Sequence, residues 1–357
     1  MVTREDVETL IKRGYYEEAL YSIGELEDPL EKVELLVELA VEIQRRGGPE
    51  DWIPDIIDDA VYLAEKLKDP FERASAFASI GSALGELGYE ESEEFFSRAI
   101  DEAERVGDPL ARGVLLAHVA YYLALGGYTE TATEVFNVAF DTIIGAETSY
   151  AKKVDAIIQI AELMESAGDS LASEGAIGLY RTAFDIFDKL HVNQKAAVVE
   201  KKLALAETVR EVGLPDVRRA LLEGRYRYAL ALVGKRYRGT KRLMGSLEIA
   251  LWMKRMNVTG YPSVVEEAFE GYKGSPSQEE LERMALILAE LGSFERALKF
   301  ALAIDEMEKR AEALKTIAIE MAKRHRYEMA RTVAGEIPDE TLREETLMEI
   351  AALEGGV

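Results

Sequence analysis

The chain has 357 residues, no cysteine and a formal net charge of −24, with 48% hydrophobic and 31% charged residues. That length exceeds one ordinary core, so several domains or a repeat array are expected. The missing cysteines exclude disulfides, thiolate zinc sites and cysteine nucleophiles. No apolar run approaches the ~20 residues of a membrane span, and the charged start Thr3-Arg4-Glu5-Asp6 lacks the apolar stretch of a signal peptide, so a cytoplasmic protein is expected.

Helix signals recur from the first residues onward. Gly14, Glu17 and Ala19 set one frame: a Gly, an acid three residues on and Ala five on. Asp28-Pro29 follows, then Lys32 with Ala40 eight residues later, and Leu35, Leu36, Leu39 and Ile43 at helical spacing. Asp69-Pro70 introduces Arg73 and Gly81, and Asp108-Pro109 introduces Arg112 and Ala120. The Gly frame returns at Gly127, Glu130 and Ala132, and the base-to-small pair at Lys153 and Ala161. Further on come Gly224 and Ala229 with Arg227 in the acid slot, Arg242 and Ala250, Gly292 with Glu295 and Ala297, and Arg310 and Ala318. The series closes with His325 in the Gly slot ahead of Glu328 and Ala330, then Arg343 and Ala351.

Each mark has a physical role. Proline suits the first turn of a helix, where its missing N–H is not needed. The preceding Asp can cap the free amides, and Gly takes the left-handed conformation that ends a helix. Asp-Pro therefore starts the first helix of a pair, Gly ends it, and the acidic segment after Gly starts the second. Small residues let neighbouring helices approach closely. The reading is all-α: a right-handed superhelix of stacked antiparallel helix pairs, about twenty helices in all, with no period-2 strand pattern. Turns at Gly213-Leu214-Pro215 and Gly274-Ser275-Pro276-Ser277 divide it into acidic repeats over 1–213, a basic segment over 214–274 that continues the solenoid, and C-terminal repeats over 275–357.

The turns Gly14-Tyr15-Tyr16-Glu17-Glu18-Ala19 and Gly292-Ser293-Phe294-Glu295-Arg296-Ala297, with Ala99 and Ala103 ahead of Pro109, resemble the tetratricopeptide-repeat family and its relatives. The central repeats are longer than is usual for that family. The resemblance implies a concave surface that holds peptides or proteins, and no common enzyme activity. Sparse Asn and Gln beside many Glu, Lys and Arg is a hyperthermophile pattern.

The search for chemistry yields no phosphate loop, no dinucleotide fingerprint and no close histidine pair. His118, His191 and His325 lie in different repeats. His118 sits in the apolar run Leu115-Leu116-Ala117-His118-Val119-Ala120 and reads as a satisfied or edge histidine. Acid runs such as Glu90, Glu91, Glu93 and Glu94 read as solvated helix faces. A non-enzymatic protein with no cofactor and no metal is expected.

Charge is unevenly spread. Residues 201–255 hold 14 bases against 5 acids, while the remainder holds 29 bases against 62 acids. The candidate partner- or RNA-binding residues are Arg218, Arg219, Arg225, Arg227, Lys235, Arg236, Tyr237, Arg238, Lys241 and Arg242. Arg forks match phosphate oxygens and tyrosines stack on unpaired bases. Tyr226 occupies the aromatic slot of Tyr16 and Phe294, which leaves Tyr237 as the better stacking candidate. Three readings stay open for this segment: a contact with structured or ribosomal RNA, an acidic protein partner that includes a second copy of this chain, or a solvated, internally paired face. The function expected is a scaffold or adaptor that binds protein on its concave face, possible self-association included, with a ribosome- or RNA-associated factor as the alternative. Leu347, Ile350 and Leu353 are candidates for an end patch.

Overall fold

The computed structural model describes residues 2–356, and among them are twenty α-helices and no strand. Two compact units divide the chain, Met1–Leu203 and Ala204–Val357. In the first lie α1 (Arg4–Arg13), α2 (Tyr16–Gly24), α3 (Pro29–Arg46), α4 (Ile53–Lys66), α5 (Pro70–Leu87), α6 (Ser92–Glu104), α7 (Pro109–Leu125), α8 (Thr129–Gly145), α9 (Tyr150–Ser170) and α10 (Ser173–Lys189). The division falls inside α11 (Asn193–Thr208). The second holds α12 (Pro215–Leu222), α13 (Tyr226–Arg236), α14 (Gly239–Arg255), α15 (Tyr261–Phe269), α16 (Gln278–Leu291), α17 (Phe294–Ala301), α18 (Met307–Ala322), α19 (Tyr327–Gly335) and α20 (Glu340–Gly355).

The packing is that of a helical-repeat solenoid. In the first unit α3, α5 and α7 each pack on the helix that follows and on the next odd-numbered helix. In the second unit α14, α16 and α18 do the same with their even-numbered successors, and α20 packs on α18 and α19. Each pair buries one face against its neighbours, which is why no single repeat has a core of its own. In the first unit that core includes Leu35, Leu39 and Ile43 of α3, Ile80 of α5, Leu115 and Leu123 of α7, and Phe136 and Ile143 of α8.

The caps follow the sequence marks. The Asp28 carboxylate accepts from the Leu30 and Glu31 amides at 2.9 and 3.3 Å. Asp69 accepts from Phe71 N–H at 3.0 Å and Asp108 from Leu110 N–H at 3.2 Å, each contact stabilising its helix by about 1 kcal/mol. Gly14, Gly47, Gly88 and Gly292 end helices in the left-handed conformation. His325, in the Gly slot, adopts the same conformation with φ 58°.

The recurring base has a task that its spacing alone did not disclose. Lys32 Nζ donates to the Gly24 carbonyl at 2.8 Å, and Arg73 Nη1 to the Leu67 carbonyl at 2.9 Å. Lys153, Arg310 and Arg343 reach the carbonyls of Ile144, Ile304 and Ile337. Each base ties the start of one pair to the end of the pair before it, where carbonyls lack helical partners and the helix dipole favours a cation. The small residue eight positions later marks the close approach. Ala40, Ala120, Ala161, Ala250 and Ala318 are fully buried, and a Cβ on Gly81 would stand 3.2 Å from the Phe96 ring. Ala351 is exposed, because no helix follows α20 to cover it within the described chain. Ile350 is buried, Leu347 is 36% exposed and Leu353 is partly buried against the core.

Candidate binding surfaces

The basic segment runs through α12, α13 and α14, around a core of Val217, Leu221, Val233 and Trp252. Helix register decides what each base does. Arg218 is 3% exposed and enclosed in that core. Arg236 forms a two-pronged pair with Asp216 at 2.8 and 2.6 Å. Arg225 bonds Glu223 at 2.9 Å and lies 4.4 Å from the Tyr228 ring centroid. Arg238 turns back onto the carbonyls at the end of α13, including that of Tyr237 at 2.8 Å. Arg219, Arg227, Lys235, Lys241 and Arg242 are exposed and have no acidic partner among the described residues. Tyr237 is half-buried against the core, with Lys241 Nζ 5.1 Å from its ring centroid. Tyr228 is the ring that stands open, 48% exposed.

The same unit holds a buried charge. Glu248 of α14 has no exposure, pairs with Arg283 of α16, and accepts from the Glu211 amide at 3.2 Å. Burial pushes its carboxyl up to about 7, although Arg283 pulls the other way.

A second surface lies on the odd-numbered helices of the first unit. Counting from the recurring base, positions two, six and nine share one side of the helix, turned away from position eight. On α3 these are Glu34, Glu38 and Val41; on α5, Ser75, Ser79 and Ser82; on α7, Val114, His118 and Tyr121. α5 packs between α3 and α7, and in these slots it carries small side chains where most of its neighbours' are larger. The three serines are 9%, 5% and 8% exposed. Their hydroxyls have no hydrogen-bond partner among the described residues, yet none is sealed from solvent. Elsewhere helical hydroxyls bond back to the fourth preceding carbonyl, as Ser246 does to Arg242 at 3.0 Å. The three serines of α5 make no such bond among the described residues.

The same side of α3 and α7 is polar and aromatic. Arg4 of α1 pairs with Glu34. The Tyr122 hydroxyl is raised, first by burial and then by the charge of Glu34, so α3 and α7 come within reach of each other across α5. His118 stands edge-on to Phe71 at 6.4 Å, and burial pulls its imidazole below the usual range. Tyr121 and Tyr122 stack edge-to-face at 5.3 Å. Glu38 is half-buried with no hydrogen bond or close ion pair among the described residues, and burial raises its carboxyl, with the charge of Glu8 adding to this and those of Lys12 and Arg4 opposing it. Sequence reasoning read His118 as a satisfied or edge histidine and missed the three serines, whose signal was the slot count from the base. Among the described residues no group of three His, Asp or Glu converges as a metal site, and no helix is long and apolar enough to cross a membrane.

The crystal structure of Ton1535 from Thermococcus onnurineus NA1 is 50% identical to the chain, covers 99% of it and 100% of its own length, and superposes with a TM-score of 0.92. The chain belongs to the Ton1535 family. A circular tandem repeat protein with a novel repeat topology matches at 15% identity over 99% of the chain and 88% of its own, with a TM-score of 0.22, too low to bear on the fold. No family model matches the chain, and no curated protein does.

Proposed function

We propose that the chain is a helical-repeat scaffold of the tetratricopeptide-like kind, which holds a partner protein on the face of the first unit that carries Ser75, Ser79 and Ser82. On this reading it works in the cytoplasm of a heat-loving cell by binding, without chemistry of its own. The observation that carries it is the row of Ser75, Ser79 and Ser82 hydroxyls on α5, nearly buried and without a hydrogen-bond partner among the described residues. Buried polar groups are normally satisfied within the fold, and a row left open is suited to satisfaction by a ligand. The test compares co-purification from native lysate by the wild-type chain and by Ser79→Leu, which places a bulky apolar group on that face, with thermal melts to confirm folding. A partner retained by the folded variant would place binding elsewhere.

A second reading rests on the five exposed bases without acidic partners and on the open ring of Tyr228. It makes this face the contact for RNA or for an acidic protein surface, a second copy included. Exchanging Arg219, Arg227, Lys235, Lys241 and Arg242 for Glu without any loss of RNA, ribosome or self-association would remove it.

A further inference from the structure

We infer that the chain associates with a second copy of itself, the outer face of α13 in one copy lying antiparallel on the outer face of α20 in the other. This rests on the second reading, in which the basic segment is a contact surface, and names the acidic protein surface that it meets.

α20 keeps the packing face of a first helix, but among the described residues no second helix covers it. Four and eight residues after the recurring base, other first helices bury Leu36 and Ala40, Phe77 and Gly81, or Leu314 and Ala318. In α20 those slots hold Leu347, 36% exposed, and the exposed Ala351, and Met348 beside them is 64% exposed. Open apolar side chains grouped on one face mark an interaction surface. One turn before Met348 stand Glu344 and Glu345, and one turn after it Ala351 and Ala352. Both acids are exposed and have no basic partner among the described residues.

α13 presents the converse. One turn before the exposed Ala231 stand Arg227 and Tyr228, and one turn after it Gly234 and Lys235. Residues three and four apart share a helix face, so each helix offers a large group, a small pair and charge of one sign. Laid antiparallel with Ala231 opposite Met348, the two faces complement each other. Met348 falls on Ala231 and Gly234, the Tyr228 ring on Ala351 and Ala352, and Lys235 on Glu344 and Glu345. Arg227 adds to the basic field that steers an acidic face towards α13, whereas two α20 faces laid together would set acid against acid. The contact is made twice about a two-fold axis or passed on from copy to copy.

The test is sedimentation velocity of the full chain over a concentration series, at about 50 mM and about 500 mM salt. Association is expected to grow with concentration and to weaken at the higher salt. Lys235→Glu, and separately Glu344→Lys with Glu345→Lys, are expected to weaken it at least about tenfold by turning attraction into repulsion. An equimolar mixture of the two variants is expected to associate as the wild type does, because every mixed contact again joins opposite charges. Met348→Ala is expected to weaken association at both salts alike. All these positions are exposed, and thermal melts confirm that the variants fold. A wild-type chain that stays monomeric at every concentration overturns the inference. So does association that survives both reversals, and so does a mixture that fails to restore it. Loss in Lys235→Glu alone means that the basic face meets a different acidic surface, and overturns the assignment to α20. Single-stranded RNA added to the same runs separates the two failures. A monomeric wild type that binds RNA, and loses it in Lys235→Glu, leaves the second reading standing without self-association. A chain that neither associates nor binds RNA sinks both.

Discussion

Glu248 and Arg283 form an ion pair in which the carboxylate is fully buried and the guanidinium is 27% exposed. The acid is pushed up to about 7, well above its value near 4.3 in an unfolded chain. The fold therefore binds a proton more tightly than the unfolded chain does. The stability this gives is fully present below about pH 4.3 and is lost as pH rises through 7. Glu248→Gln is expected to flatten the fall in stability between pH 5 and 8, a difference of roughly 3 kcal/mol at most. Thermal or denaturant unfolding at several pH values reads it; parallel curves for variant and wild type would assign the slope to another group.

Arg73 of α5 and Glu102 of α6 behave in the opposite sense. Arg73, then Arg105, holds the Glu102 carboxyl below its usual range, and Glu102 is only 7% exposed. Here the pairing contributes stability above the unfolded value near 4.3 and loses it as pH falls. Arg73→Met, which also frees the Leu67 carbonyl, is expected to cost roughly 2 kcal/mol at pH 7 and clearly less near pH 3. An equal cost at both values would mean that packing, and not charge, is what Arg73 provides.

Two glycines should respond oppositely to alanine. A Cβ on Gly113 would stand 2.5 Å from Ile143 Cγ1 and 3.0 Å from the Ala139 carbonyl oxygen, so Gly113→Ala forces α7 and α8 apart and is expected to cost about 1–3 kcal/mol. Gly178 is exposed within α10, with nothing within 4 Å of a Cβ, and Gly178→Ala is expected to add up to about 1 kcal/mol. Melting temperatures of the two single variants decide it, and a stabilised Gly113→Ala would contradict the close packing.

If the second functional reading holds, single-stranded RNA should bind with steep salt dependence. Five phosphate contacts give a slope of log affinity on log salt near −3.5, from about 0.7 per contact. Tyr228→Ala should weaken binding at every salt without changing the slope, because stacking releases no counterions. A flat response between 50 and 200 mM salt, on the order used for such titrations, would exclude phosphate contacts.

Local chemistry was legible in the sequence. Asp28, Asp69 and Asp108 cap where they stand, and His325 in a glycine slot already indicated a left-handed residue. What the sequence did not disclose depends on partners brought in by packing. The recurring base was visible as a pattern, but its acceptor is a carbonyl in the preceding turn, set by how two pairs dock. Ser79 of α5 stands in the slot that holds Glu38 and His118 on its neighbours, each about forty residues away in the chain, a correspondence that only the packing of α5 between α3 and α7 makes structural. In the basic segment, aromatic identity pointed to Tyr237, whereas helix register packs that ring on the core and leaves Tyr228 outside. Glu248 occupies the slot that holds Glu38, Ser79 and His118 in other helices, and its pair with Arg283 and its contact with the Glu211 amide distinguish it.

The bases that reach backwards, Lys32 to Gly24 and Arg73 to Leu67, also set where the chain can be cut. The tie spans a joint between pairs, so the natural module runs from within one pair to within the next. A truncation made at an Asp-Pro mark severs the tie and leaves a loose carbonyl on one fragment and an idle cation on the other. Repeats grafted into another array should therefore carry their upstream turn with them.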